Sequence, residues 1–147
     1  MNTALLSKLI DAKHHCLGQL LDLGRRQYEL IEHGRMNALL DLLVTKGNTL
    51  EQLQKIERAL DPCREQPPAP DQWPSEELRQ RCNERLRECE ELLGQIIQQE
   101  RRSEVTLIER RDEVGRQLEG AHHAGLARAA YTHLPMQTVG QLDLSTD

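Results

Sequence analysis

Residues 75–119 of the chain read SEELRQRCNERLRECEELLGQIIQQERRSEVTLIERRDEVGRQLE, without a proline. The apolar residues of this stretch recur at intervals of three, four or their sums, which is the spacing of one helical face. They are Leu78, Cys82, Leu86, Cys89, Leu93, Ile96, Leu107, Val114 and Leu118. From Cys82 to Ile96 the pattern follows a heptad repeat, so it predicts a long helix with a coiled-coil seam. A chain of 147 residues is too short to build a globular core around such a long helix. Another long helix must therefore cover its apolar seam.

The composition favours an all-helical protein of one domain. The chain has 147 residues, no Phe, one Trp and two Tyr, which is a poor supply for a core built on β-sheets. Leu, Glu, Gln, Arg and Ala are abundant, and all of them are good helix formers.

The charge pattern and the hydropathy indicate which partners and which cellular compartment to expect. The net charge is −5 and both signs are mixed along the predicted helices, so no nucleic-acid partner is expected. No apolar run reaches the roughly 18 residues that a membrane-spanning helix needs, so no membrane insertion is expected. The N-terminus lacks a basic segment followed by an apolar block, so we expect a cytoplasmic protein with reduced cysteines.

The N-terminal half predicts two helices. Residues 3–33 form the first, with Asn2 or Thr3 as its N-cap, and Gly34 marks either a kink or a very short turn. The second helix is predicted from Met36 to Leu60. Its apolar face comprises Met36, Leu39, Leu40, Leu43, Leu50, Leu53, Ile56 and Leu60. The polar stretch of residues 45–49 within it is either a solvated turn of a continuous helix or a bend.

Residues 61–74 hold five of the six prolines and are predicted to form the connector. A connector of this length lets the long helix return antiparallel to the first two helices. Trp73 is placed to cover the end of the bundle, and Ser75 is a suitable N-cap for the long helix.

The predicted fold is therefore an elongated antiparallel helical hairpin or bundle that spans residues 1–119. It consists of two N-terminal helices broken near Gly34 and one long third helix. Residues 120–147 contain glycines, alanines and histidines but few large apolar residues, so a flexible tail is predicted, with a possible short helix at Leu126–Leu134.

Nothing in the sequence calls for catalysis, a cofactor or a metal. Cys82 and Cys89 fall in the apolar seam, and the chain has neither a C-x-x-C motif nor histidines at ligand spacing. Adjacent acids such as Glu90 and Glu91 diverge on a helix surface, where they are expected to be solvated. We predict that the protein is not an enzyme.

The seam of the long helix becomes polar near Glu100 and Ser103, which has two interpretations. One is a polar layer that sets the register of the coiled coil. The other is that pairing loosens here and leaves the following apolar residues uncovered. In this interpretation the partly uncovered residues are Val105, Leu107, Ile108, Val114 and Leu118.

Two parts of the chain resemble the flagellar export-chaperone family of the FlgN type. The first part is a helix, the break at Gly34, and then Lys46 followed by Leu50 and Leu53. The second is the order of a long third helix, a low-complexity stretch and a tyrosine, Tyr131. The family often has glycines close behind this tyrosine, whereas here the next glycine is Gly140.

The resemblance implies a cytoplasmic chaperone of flagellar type III secretion. Such a chaperone binds C-terminal helices of hook–filament junction proteins and delivers them to the export gate. Helix-in-groove recognition suits an apolar face on a long helix. The resemblance therefore implies a cargo-binding groove on the last third of the long helix and the tail after it, at Val105, Leu107, Ile108, Val114, Leu118 and Leu126. By resemblance Tyr131 contacts the export gate, although a lone tyrosine in a tail can also simply pack on the bundle.

Two other hypotheses remain open from the sequence. A coiled-coil scaffold or adaptor without a role in secretion would use the same stripe as a homodimer surface, so the protein is either a monomer or a homodimer. A small helical enzyme would require a cluster of buried ionisable groups.

Overall fold

A computed structural model of the chain describes residues 2–132, and their side chains as far as Ala130. In this range the chain forms three α-helices and no strand: α1 (Thr3–Glu32), α2 (Met36–Glu65) and α3 (Glu76–Thr132). A short 3₁₀ helix, Pro70–Gln72, lies in the connector. The prediction of an all-α helical bundle is confirmed, and residues 133–147 of the predicted tail lie outside the described part.

The chain divides into two units, residues 1–106 and residues 107–147. Every buried side chain of the described residues belongs to the first unit, where α1, α2 and the first part of α3 pack together. None of the helices in residues 2–132 is both long and apolar enough to span a membrane.

A tight turn at Gly34 joins α1 to α2. Gly34 has a φ of 67°, a conformation in which glycine avoids the steric cost of a Cβ atom. Its N–H donates to the carbonyl of Ile31, and the N–H of Arg35 donates to the carbonyl of Leu30. These two bonds are those of a Schellman motif, which satisfies the last carbonyls of α1. The turn is a full reversal, because Leu6 and Ile10 near the start of α1 pack against Leu60 near the end of α2.

The predicted end of α2 at Leu60 is wrong, because the helix continues through Pro62 to Glu65. Proline removes one backbone hydrogen bond, but packing on this last turn maintains the helix. Cys63 is buried in the core, and Arg64 Nη1 donates to the carbonyl of Glu57 at 3.1 Å. The polar stretch of residues 45–49 forms a continuous part of α2 and is not a bend. Two of its side chains, Lys46 and Thr49, face inward.

The caps at the starts of α1 and α3 agree with the sequence prediction. Asn2 Oδ1 accepts a hydrogen bond from the N–H of Ala4 at 2.8 Å. Ser75 Oγ accepts one from the N–H of Leu78 at 3.1 Å. Both satisfy helix N–H groups that have no partner within the helix. Trp73 packs against the core cluster at this end of the bundle, as predicted.

The direction of α3 differs from the expectation that it is antiparallel to both earlier helices. It runs antiparallel to α2 but parallel to α1. Asp11 of α1 pairs with Arg81, and the carbonyl of Leu21, later in α1, accepts a hydrogen bond from Gln99, later in α3. The reason is the reversal at Gly34, which makes the bundle run up, down and up.

Two apolar clusters form the core of the first unit. One contains Leu6, Ile10, Leu60, Cys63 and Cys82, with Trp73 and Leu78 at its edge. The other contains Leu17, Leu20, Leu21, Cys89 and Ile96. Helix α1 contributes five of these ten buried side chains, more than either other helix, because it packs against both α2 and α3.

Helix α3 does not end at Glu119 as predicted but continues through Gly120 and Gly125 to Thr132. The separate short helix predicted at Leu126–Leu134 is therefore the last part of α3, as far as the described residues reach. Alanines and arginine after Gly120 have high helix propensity, which offsets the cost of the two glycines.

Candidate protein-binding surfaces

The predicted cargo-binding side chains are all exposed. Leu107 and Ile108 are 42% and 40% exposed, and Val105, Val114, Leu118 and Leu126 are exposed further. Val105 belongs to the first unit and the other five belong to the second. No side chain of residues 107–130 is buried, so this part of α3 has an apolar face that no described residue covers.

Within the second unit the five residues form a stripe along α3. Each residue of an α-helix turns by about 100°. Leu107, Val114 and Leu118 therefore fall within about 40° of one another, and Ile108 and Leu126 lie at one edge of the same face, within about 120° in all. Side chains of both charge signs surround this stripe. Among them, Arg116 pairs with Glu113 at 2.7 Å. The backbone of Tyr131 lies in the last turn of α3, and its side chain is outside the described part of the chain.

The heptad seam predicted for α3 is only half correct. Cys82, Cys89 and Ile96 are buried as predicted, but Leu86 and Leu93 are exposed. The residues that face inward at these two levels are Arg85 and Leu92, each one position before the predicted leucine. The inward row of α3 is Cys82, Arg85, Cys89, Leu92, Ile96, Gln99 and Ser103. Leu86, Leu93 and Ile97 are thereby left on a neighbouring face of the helix.

Helix α2 shows the same displacement. Leu39, Leu42, Lys46 and Thr49 are buried, whereas four residues of its predicted apolar face are exposed. These four are Met36, Leu40, Leu43 and Leu50. The sequence did not assign Lys46 and Thr49 to the core. Lys46 faces inward because Gln27 of α1 and Glu100 of α3 offer it polar partners, and the Thr49 hydroxyl donates to the carbonyl of Thr45 within α2.

The exposed residues of α2 and α3 line one groove between these helices. On α2, Leu43 and Leu50 belong to a row at seven-residue steps that ends at Arg64. On α3, Leu86 and Leu93 belong to a row that continues to Glu100. The two rows face each other, because Arg64 lines a cavity together with Leu86, and Glu100 pairs with Lys46 of α2.

We call this surface the outer α2–α3 groove and define it by Leu43, Leu50, Leu86, Leu93 and Ile97. The opposite side of α3 faces α1, where Glu88 contacts His14 at 2.8 Å and the Arg102 guanidinium stacks 4.1 Å from the centre of the Tyr28 ring. The outer α2–α3 groove is therefore the side of α3 that α1 leaves open. Sequence reasoning missed it because Leu43, Leu50, Leu86 and Leu93 were assigned to the packed faces of their helices and Ile97 was assigned to no surface.

A polar layer crosses the first unit next to this groove. Lys46 Nζ donates to Gln27 Oε1 at 2.7 Å and to Glu100 Oε1, and it thereby joins all three helices. Gln99 lies in the same region, and its Nε2 donates to the carbonyl of Leu21 at 3.1 Å. A Cβ atom at Gly24 would collide with the Gln99 amide, so the glycine permits this close approach. This arrangement agrees with the register-setting interpretation of the polar layer.

An open cavity of about 510 Å³ lies at one end of the groove, among the three helices and the proline-rich connector. Its apolar walls include one large side chain from each helix, namely Ile10, Leu60 and Leu86, together with Trp73. Glu90 lies at its edge. The volume is within the range of pockets that bind small ligands or single side chains of a partner.

An ion-pair cluster also borders this cavity. Glu57 pairs with Lys13 at 2.9 Å and with Arg64, and Arg64 pairs with Asp61 at 2.8 Å. Burial alone would raise the pKa of Glu57, but hydrogen bonds and charges from Lys13 and Arg64 outweigh it and lower this pKa. The cations at this edge are therefore neutralised within the chain.

The four cysteines are buried reduced thiols, which agrees with the packing role predicted for Cys82 and Cys89. Burial raises the pKa of the Cys16 and Cys89 thiols, so both stay protonated at neutral pH. Within residues 2–132, no group of three or more His, Cys, Asp or Glu side chains is arranged to hold a metal ion.

Comparison with known proteins gave no relative: no protein-family model, curated protein or solved structure matches this chain.

Proposed function

We propose that the protein is a flagellar type III export chaperone that binds amphipathic C-terminal helices of hook–filament junction proteins and delivers them to the export gate. The observation that supports this function is the apolar stripe of Leu107, Val114 and Leu118, which no described residue covers. A helix with such a face binds a second amphipathic helix by burying both apolar stripes. The assignment to flagellar cargo comes from the resemblance of the chain to the FlgN type.

The stripe is suited to reversible binding. Burial of the exposed parts of Leu107, Val114 and Leu118 against apolar side chains of a partner helix would stabilise a complex, and the cost of association offsets part of this gain. The remaining surface of this part of α3 carries charges of both signs, among them Arg110, Asp112 and Glu113, which keep the unoccupied helix soluble. The export gate would be contacted by Tyr131 at the end of α3.

The test is a binding titration with C-terminal peptides of hook–filament junction proteins. We expect Leu107→Asp and Val114→Asp each to abolish binding, because each places a charge in the apolar interface. Helicity measured by circular dichroism should be retained, since both side chains are exposed. Ala127→Asp is the matched control, because it adds the same charge to an exposed position about 160° round the helix from Leu107.

Three results would contradict the proposal. Unfolding of the Leu107→Asp variant would make this residue part of a core. Equal loss of binding in Ala127→Asp would mean that the effect is not confined to the stripe. If the peptides do not bind and sedimentation shows that the stripe joins two copies of the chain, the protein is a scaffold of the coiled-coil type.

A further inference from the structure

Charged side chains in the second unit are not spread evenly round α3. Residues 107–130 contain four arginines and four acids, so with neutral histidines this stretch has no net charge. Because each residue turns an α-helix by about 100°, every charged side chain can be placed relative to the apolar stripe of Leu107, Val114 and Leu118. This placement separates the two signs onto different sides of the helix.

Three of the four arginines lie on the side of the stripe. Arg111 is about 40° round the helix from Leu107. Arg110 and Arg128 are each about 60° from Leu107 in the other direction. His122 is on this side as well, so none of the titratable side chains here is an acid. A helix that packs on the stripe would meet these arginines, because paired helices touch through heptad positions a, d, e and g.

The acids of the second unit lie on the other side of the helix. Each of them is about 120° or more from Leu107, at the b, c or f position of the same heptad, which faces away from a paired helix. These acids are Glu109, Asp112, Glu113 and Glu119. The nearest acid at a contact position is Glu104, one turn before Leu107, which belongs to the first unit. The contact positions of residues 107–130 are therefore positively charged, although the whole chain has a net charge of −5.

Ion pairs within the described chain do not cancel this charge. Arg110 makes no ion pair with any residue that the structure describes. Arg111 pairs with Asp112 at 3.3 Å, but both side chains are more than half exposed, so the pair is weak. A guanidinium has several N–H donors, and Arg111 can therefore accept a second carboxylate as a partner. The pair of Arg116 with Glu113 lies on the side away from the stripe.

We propose that the apolar stripe binds an amphipathic helix of another protein whose flanks are acidic. This inference rests on the proposed function and specifies the chemistry of its partner. Leucine-sized side chains of the partner cover the stripe, and its Asp or Glu side chains pair with Arg110 and Arg111. Charge pairs at the edge of an interface contribute more to the choice of partner than to affinity. The stripe thus provides most of the binding energy, and the arginines select which helix is bound.

Two other occupants fit this face less well. A second copy of the stripe would bring its own Arg110 and Arg111 into the interface, where like charges repel each other. Helices that lie on anionic lipid carry Lys and Arg on their polar face and Trp or Phe on the other. Here the polar face carries four acids, and residues 107–130 contain no aromatic side chain of the Phe, Trp or Tyr type.

The probes are two synthetic peptides of about three heptads, a length that matches the roughly 36 Å of residues 107–130. Both carry a fluorescent label and Leu at heptad positions a and d, and they differ only in having Glu or Lys at positions e and g. Fluorescence anisotropy with the full chain measures the dissociation constant of each. We expect the Glu peptide to bind about tenfold more tightly than the Lys peptide at low ionic strength, and this ratio should fall as salt is added.

Charge variants on α3 test the role of the arginines. Arg110→Glu and Arg111→Glu should each lower the ratio of the two affinities by about threefold or more, and the double variant should bind the Lys peptide more tightly than the Glu peptide. Arg116→Glu is the matched control, because it makes the same change of charge about 180° round the helix from Leu107. It should leave the ratio within about twofold. A variant that merely misfolds weakens both peptides and cannot reverse the preference.

An apolar variant locates the binding on the stripe. Val114→Ser should weaken both peptides about equally, because it removes an apolar contact that they share. Leu50→Ser is the control, since Leu50 is an exposed apolar residue of the first unit.

The outcomes separate this inference from the proposed function. Equal binding of the two peptides, weakened by Val114→Ser, would overturn the acidic partner and leave a helix-binding stripe in place. Binding of neither peptide, or binding that Val114→Ser does not change, would overturn both. Preference for the Glu peptide without binding of hook–filament junction peptides would support the acidic partner and contradict the export function. Self-association that Val114→Ser abolishes would make a second copy the occupant. Binding to vesicles of equal parts phosphatidylcholine and phosphatidylserine that Arg111→Glu abolishes would make it a lipid surface.

Discussion

Gly34 is the residue with the strictest backbone requirement, because its φ of 67° lies where a Cβ atom clashes. We expect Gly34→Ala to lower the free energy of unfolding by about 1–2 kcal/mol. Gly18→Ala is the control, since Gly18 lies inside α1 and its added Cβ would meet no atom within 4 Å. This control should raise the free energy of unfolding by about 0.5–1 kcal/mol. Urea unfolding followed by circular dichroism measures both, and the same sign for both would contradict the role of the turn.

Glu57 should make stability depend on pH in the acid range. Its pKa is lower in the folded chain than in the unfolded chain, because Lys13 and Arg64 outweigh the effect of burial. A lowered carboxyl pKa stabilises the fold above the titration range of the unfolded chain, and this stabilisation is lost as the pH falls through the folded pKa. We expect the urea midpoint to fall on acidification, and Glu57→Gln to reduce that slope. Glu51→Gln, at an exposed position of α2, should leave the slope unchanged.

At the scale of residues, the features that depend on local chemistry, namely helix caps and turns, could be predicted from the sequence. Ser75 was identified correctly as an N-cap, and the structure selects Asn2 over Thr3 and a turn over a kink at Gly34 from the alternatives that the sequence left open. Caps and turns are predictable to this extent because they are decided by residues within one helical turn. Leu86 and Leu93 were assigned to the core because a heptad can be drawn through them or through the preceding residues. The choice depends on where α1 and α2 lie, and a single helix carries no information about that.

Among the elements, α2 carries the buried lysine that joins all three helices. Lys46 Nζ donates to the buried Gln27 side chain and pairs with Glu100. Lys46→Met leaves the Gln27 oxygen without a donor, so we expect it to lower the free energy of unfolding by about 1–3 kcal/mol. Adding Gln27→Leu should restore part of this loss, because both partners are then apolar. Urea unfolding of the two single variants and the double variant gives the coupling, and additive effects would contradict it.

The bounds of the helices show a second limit of prediction at the scale of elements. Proline and glycine usually indicate helix ends, but Pro62 lies inside α2, and Gly120 and Gly125 lie inside α3. In α2 the packing of Cys63 and the Arg64 hydrogen bond outweigh the proline. In α3 the intervening alanines keep the propensity high enough for the helix to continue.

For the whole molecule, the location of the core determines which part of the chain is needed for folding. All buried side chains of the described residues lie between Thr3 and Ser103. We expect a fragment of residues 1–106 to unfold cooperatively, with a thermal midpoint within about 5 °C of the full chain. A fragment of residues 1–85 lacks Cys89 and Ile96 and should lose this cooperative transition. A midpoint of the longer fragment that is lower by much more than about 5 °C would mean that later residues contribute to the core.

The candidate surfaces were predictable only in part. The sequence identified Leu107, Val114 and Leu118 because they follow a change in the seam, where apolar residues continue after the predicted partners end. It could not identify the outer α2–α3 groove, because a groove is formed by two helices and its residues look like core residues in each of them.

The turn at Gly34 also affects how the protein is made. Because α1 and α2 are adjacent in the sequence, their pairing has a low contact order and needs no residue beyond Glu65. We expect this hairpin to form on the ribosome before α3 is complete. Synthesis of residues 66–103 takes about 2–8 s at typical translation rates, and during that time Leu17, Leu20 and Leu21 lack their cover from Cys89 and Ile96. The nascent hairpin is therefore the state of this protein most exposed to aggregation and to capture by general chaperones.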